Sequence, residues 1–185
     1  MNANPFSYSP RSHTIKVAAI YDGLMSFVYA HEAFGSLGLA AAPHARIESN
    51  VWSFDNLIRL DLRHASLRIA AEAELILVAA GPESALPRHV QDWLKEVLRE
   101  DREHTPVIVA LHERMANVAG QLPLFLRQLK VLAAGWRAPV LTSGEFDGWL
   151  RNEFAAGCAG EAESGADEKV TSPPSLLADR WGINE

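Results

Sequence analysis

The run Leu75–Ala79 constrains this chain more than any other stretch. Within Glu74–Pro82 it reads Leu-Ile-Leu-Val-Ala, continuous and apolar, without the alternation of a half-exposed strand. Such a strand must be covered on both faces, which is the situation of a parallel sheet wrapped by helices. Gly81 and Pro82 end it abruptly. In an open α/β sheet, ligands bind beyond the carboxyl ends of the strands. Here that position offers Ala79, Ala80 and Gly81, which carry no reactive group.

The flanking sequence supplies the rest of such a sheet. Thr14–Tyr21 is a first strand ending at Asp22-Gly23, and Ala45–Trp52 a second. Thr105–Leu111 and Pro139–Thr142 are the fourth and fifth, with Pro106 tolerated at a strand's first position. Between them, helical spacing predicts a helix from about Leu24 to Leu37, with Phe27, Val28, His31, Phe34 and Leu37 inward and Gly35 and Gly38 at its end. Ser53 caps a short turn, Asp61–His64 connects, and Ala65–Ala73 is helical. Leu86, Val90, Trp93, Leu94, Val97 and Leu98 form the clearest stripe, with Pro87 in the first turn. Leu122–Trp136 presents Leu122, Phe125, Leu129, Leu132 and Trp136. A last helix, capped by Ser143, carries Phe146, Trp149, Leu150 and Phe154.

Five β-α units with short connections imply a parallel sheet with helices on both faces and right-handed crossovers. The expected fold is one flavodoxin-like α/β domain over residues 14–156, strand order 2-1-3-4-5. Residues 1–13 read as a lead-in. Residues 157–175 have a linker composition of Gly, Ala, Glu and Ser with a Pro pair. Residues 176–185 form an apolar tail, with Leu176, Leu177, Trp181 and Ile183 as expected partner-binding residues. Three readings of that tail stand open: docking on its own domain, binding a partner, or remaining free.

Charge excludes several function classes. The 185 residues carry a formal net charge of -6, and the arginines are spread singly. Phosphate backbones and anionic membranes demand clustered Lys and Arg, so neither nucleic acid nor membrane is an expected partner. The one cysteine, Cys158, allows no disulfide within the chain. The first residues, Met1–Thr14, lack the basic and apolar regions of a secretory signal, and a cytoplasmic location is expected.

The segment Glu74–Ala79, an acidic residue and four apolar residues leading into the strand end, resembles the third strand of receiver domains of response regulators. The resemblance covers roughly residues 14 to 156 as architecture. It implies a phospho-accepting Asp at position 79, where this chain has Ala79. It implies an acidic pair after the first strand, of which only Asp22 remains, preceded by Tyr21. The hydroxyl residue expected after the fourth strand falls near Ala110 or Leu111, and Thr142-Ser143-Gly144 stands where a lysine is expected. The implied function is a non-catalytic, receiver-like regulatory or protein-interaction module that does not run Asp phosphorylation. Its partners would be proteins, with a second copy of the chain among them.

The alternative is a small-molecule-binding or metal-dependent enzyme. The carboxyl edge of the sheet would gather Asp22, Asp55, His112 and Glu113 as acids, bases or ligands, with Asp22 the metal candidate. His112 and Glu113 are adjacent and point apart in an extended segment. The turn Asp22-Gly23-Leu24-Met25-Ser26 has neither Gly-x-Gly-x-x-Gly nor a Walker pattern, so no nucleotide or flavin cofactor is expected. There is no Gly-x-Ser-x-Gly elbow either.

Overall fold

The computed structural model describes residues 13–42, 45–99, 105–112 and 122–155. Five strands form one sheet: β1 His13–Tyr21, β2 Ala45–Ser53, β3 Leu75–Ala79, β4 Val107–Leu111 and β5 Val140–Thr142. All pair in parallel, in the order β2-β1-β3-β4-β5. This is the flavodoxin-like arrangement predicted from the run at Leu75. Every residue of β3 is buried, as is every residue of β4.

Alternation along the strands divides the core in two. Ala18, Ile20, Ile76, Val78, Ile108 and Ala110 face one layer; Val17, Ala19, Leu75, Leu77, Val109 and Leu111 face the other. The first layer holds a 3-10 helix, Phe54–Ile58, with α2 Leu60–Ala71, α3 Arg88–Arg99 and α4 Leu124–Ala134. The second holds α1 Leu24–Ala41 and α5 Ser143–Ala155, which pack side by side.

Three helices depart from expectation. The buried face of α1 is Ser26, Ala30, Ala33, Leu37 and Ala41, not the one containing Phe27, Val28 and His31. Small side chains let the helix backbone approach the sheet, and Phe27, Val28 and His31 turn outward, whereas Leu37 is buried and Phe34 packs against the core as expected; Phe27 rests its ring 5.2 Å from that of Tyr21. Gly35 and Gly38 lie inside this helix rather than ending it. In α2 the supposed connector Asp61–His64 is the first turn. Asp61 sits there where the helix dipole favours an anion and pairs with Arg59 at 3.0 Å. In α4, Leu122 precedes the helix and is exposed, while Phe125, Leu126 and Leu129 are buried.

Two polar ties fix α2 against α3. Arg63 donates to the His89 carbonyl at 3.0 Å and to Glu96 at 2.6 Å. The buried Trp93 indole donates to Ser66 Oγ at 2.9 Å, and Ser66 in turn donates to the Arg63 carbonyl. Among the described residues no helix is long and apolar enough to cross a membrane.

Candidate functional site at the carboxyl edge of the sheet

In this topology the chain runs outward from β1 to β2, then returns to β3 on the other side of β1. The switch point therefore lies between the ends of β1 and β3, where a ligand crevice is expected. The register sets Tyr21 opposite Ala79, so Asp22 is the first residue past that edge. Its backbone N–H donates to the Ala79 carbonyl at 3.2 Å, extending the pairing by one step.

The Asp22 carboxylate fills the crevice mouth with internal hydrogen bonds. Oδ1 accepts from Ser26 Oγ at 2.5 Å. Oδ2 accepts from the Gly81 N–H at 2.9 Å and from Ser84 Oγ at 2.6 Å. Ser26 comes from the first turn of α1, one helical turn after Asp22, and Gly81 and Ser84 come from the loop after β3. Burial alone would raise this carboxyl. The hydroxyls of Ser26 and Ser84 and the Gly81 amide outweigh it and hold the group below its ordinary range. Gly81 allows close approach: a Cβ there would stand 3.0 Å from Ser84 Oγ, which would have to shift slightly.

The other predicted residues lie elsewhere along the edge. Asp55 is exposed in the first turn of the 3-10 helix, which Ser53 caps through a reciprocal pair with Asn56. His112 follows β4; its backbone N–H donates to Ser143 Oγ at 3.3 Å and its ring meets the edge of Phe125. None of the hydrogen bonds made by Asp22 runs to Asp55 or His112. Glu113 and the tail residues Leu176, Leu177, Trp181 and Ile183 lie outside the described residues. Among the described residues no three of His, Cys, Asp and Glu come together as a metal-binding group.

Ser143 is not the cap of α5. It begins the helix and its hydroxyl spans to the Ala110 carbonyl at 3.4 Å. The capping position is Thr142, whose N–H and Oγ1 both donate to Glu145 Oε2, at 2.7 and 2.8 Å. These bonds from Thr142 hold the Glu145 carboxyl below its ordinary range.

A cleft of about 320 Å³ opens between α1, α5 and the end of β4, lined among others by Tyr29, Glu32, His112, Ser143 and Asp147. Ser84 and Gly81 were not legible as site residues. The spacing of Asp22 and Ser26, one helical turn apart across a strand-to-helix junction, is the signal that could have marked the first of the three partnerships.

No family model matches the chain. No curated protein matches it either. Among solved structures the chain is similar to the crystal structure of azoreductase from Bacillus anthracis str. Sterne, at 8% identity and a TM-score of 0.44, over 77% of this chain and 97% of that one. The fold assignment rests on the strand order and the parallel register.

Proposed function

We propose that this is a non-catalytic, receiver-like regulatory or protein-interaction module. The observation that carries the reading is the Asp22 carboxylate, which accepts from three donors of its own chain at the switch point. In a catalytic or metal-binding edge that group would be aimed at a ligand. Here it ties β1, α1 and the loop after β3 together. Beside it the strand end carries only the buried methyl of Ala79, which cannot accept a phosphoryl group. A site whose one anion is occupied internally suits a domain that presents surfaces rather than performs chemistry.

The test is incubation of the full chain with labelled acetyl phosphate and Mg²⁺. No hydroxylamine-sensitive label is expected; an acyl phosphate at Asp22 overturns the reading. Calorimetric titration with Mg²⁺ should give no heat that Asp22→Asn removes.

A second reading is favoured by the cleft at His112: a small-molecule site between α1 and α5, with Ser143 and Asp147 as polar contacts. Ligand-induced thermal shifts that His112→Ala abolishes would select it over the first.

A further inference from the structure

The outer face of α3 and α4 forms an apolar groove with a basic rim. It has a volume of about 390 Å³, and its walls include Leu124, Val131 and Leu132 together with Lys95 and Arg127. Val131 is 78% exposed. Hydrogen bonds tie its floor: Gln91 donates to the Leu86 carbonyl and Gln128 accepts from the Leu86 N–H, each at 2.7 Å. Both glutamine side chains are thereby engaged by the backbone of one residue. Lys95 pairs with Asp92 on its own helix, whereas Arg127 makes no ion pair among the described residues.

The chain contains a segment complementary to this groove. Residues 156–185 hold six Asp and Glu against two Lys and Arg, so four of the six excess negative charges of the whole chain lie there. The same segment ends with Leu176, Leu177, Trp181 and Ile183 inside eight positions. Apolar anchors with acidic flanks match apolar walls with a basic rim. Residues 156–175 separate α5 from the anchors, and a flexible chain of twenty residues spans about 25 Å as a coil. The helices α4 and α5 pack against β5 from opposite faces, so the path rounds one edge strand.

The outward face of α1 is the competing surface, with Leu24 77% exposed. Besides His31, its only ionisable side chain of the Asp, Glu, Lys and Arg set is Glu32, of the same sign as the segment. Charge therefore selects the groove between α3 and α4.

We propose that the apolar segment 176–185, preceded by the acidic stretch 161–168, docks in cis into the α3–α4 groove, covering Val131 and Leu124 with Trp181 and its neighbours and bringing the tail's excess negative charge toward Arg127. The docking is a property of this surface and holds whether or not the sheet edge performs chemistry. A bound segment would occlude the groove from any partner, so release of the tail would expose a binding face.

The experiment uses the full chain with Cys158→Ser and one reporter cysteine, Val131→Cys or Leu24→Cys, reacted with a neutral maleimide. A tether of this kind supplies a millimolar effective concentration, so even a weak site is mostly filled, and labelling at position 131 should be about tenfold slower than in the same chain carrying Leu177→Asp and Trp181→Asp. The slowing should be independent of protein concentration, be relieved by Arg127→Glu, and be absent at position 24. Equal rates at position 131 overturn the proposal. So does protection that grows with protein concentration, which assigns the groove to a second copy, or protection at position 24 instead, which places the segment on α1.

Discussion

Ser84 Oγ donates to Asp22 Oδ2 across 2.6 Å, joining residues that stand 62 positions apart in sequence. The bond closes the crevice between β1 and β3, which this topology otherwise leaves open. With the Gly81 amide and Ser26 it makes Asp22 a structural latch.

Asp22→Ala removes three acceptor contacts at once. A hydrogen bond to a charged group contributes about 1.5–3 kcal/mol when sheltered, and exposure reduces this, so the net cost should be about 1–2 kcal/mol. The pH dependence follows from sign. The folded-state carboxyl titrates below its unfolded value, so its contribution is present above the unfolded pKa and is lost as pH falls through the folded one. Urea midpoints from pH 7 down to pH 2 should therefore fall more steeply for the native chain than for Asp22→Asn. Parallel curves would refute the latch.

Gly81→Ala tests the same latch sterically. The added Cβ would stand 3.0 Å from Ser84 Oγ, tighter than ordinary contact, so that hydroxyl must shift by a few tenths of an ångström, which weakens its bond to Asp22. The expected loss is about 1 kcal/mol, at the low end for overpacking because a serine side chain can rotate. In the Ser84→Ala background the obstructing oxygen is gone, and the cost of Gly81→Ala should shrink. An undiminished cost there would point to backbone strain instead.

The fold was legible because β3 and β4 are apolar on both faces, as strands of a covered parallel sheet are, and helical stripes alternate with the strands along the chain. The inward face of α1 was not legible: hydrophobicity points to Phe27 and Val28, but the helix docks through Ser26, Ala30 and Ala33, where small size allows close approach. Asp22 was legible as a position and not as a role. Its partners Gly81 and Ser84 belong to a loop that periodicity does not describe, and they meet it only once β1 and β3 are paired. Ser143 was misplaced by one residue because both Thr142 and Ser143 can cap, and only Glu145, three residues after Thr142, distinguishes them.

Glu145→Ala should therefore cost more than Ser143→Ala. It strips two acceptor contacts from the start of α5, worth about 1 kcal/mol for a helix cap. Ser143→Ala loses only two long bonds, at 3.3 and 3.4 Å. Since the Glu145 carboxyl is held below its ordinary range, its contribution is present above the unfolded pKa and fades as pH falls through the folded one. Chemical denaturation of both variants at pH 7 and pH 3 checks the order: Glu145→Ala should be the less stable at pH 7, and the gap should narrow at pH 3. Equal stability at pH 7 would return the cap to Ser143.

Ser66 and Trp93 are both buried, and the indole N–H has Ser66 Oγ as its acceptor. Removing the acceptor leaves a polar hydrogen in the core, so Ser66→Ala should cost about 1–3 kcal/mol even though it deletes a single oxygen. Trp93→Phe removes the donor together with part of the ring volume and incurs a cavity cost of its own. The two substitutions touch one interaction, so they should not add. Once Trp93 is Phe, nothing remains for Ser66 to accept, and Ser66→Ala should then be close to neutral. A double-mutant cycle by urea denaturation measures the difference. Additive losses would mean that the Ser66 hydroxyl acts through the Arg63 carbonyl within α2 and that the tie between α2 and α3 lies in the apolar packing of Trp93 alone.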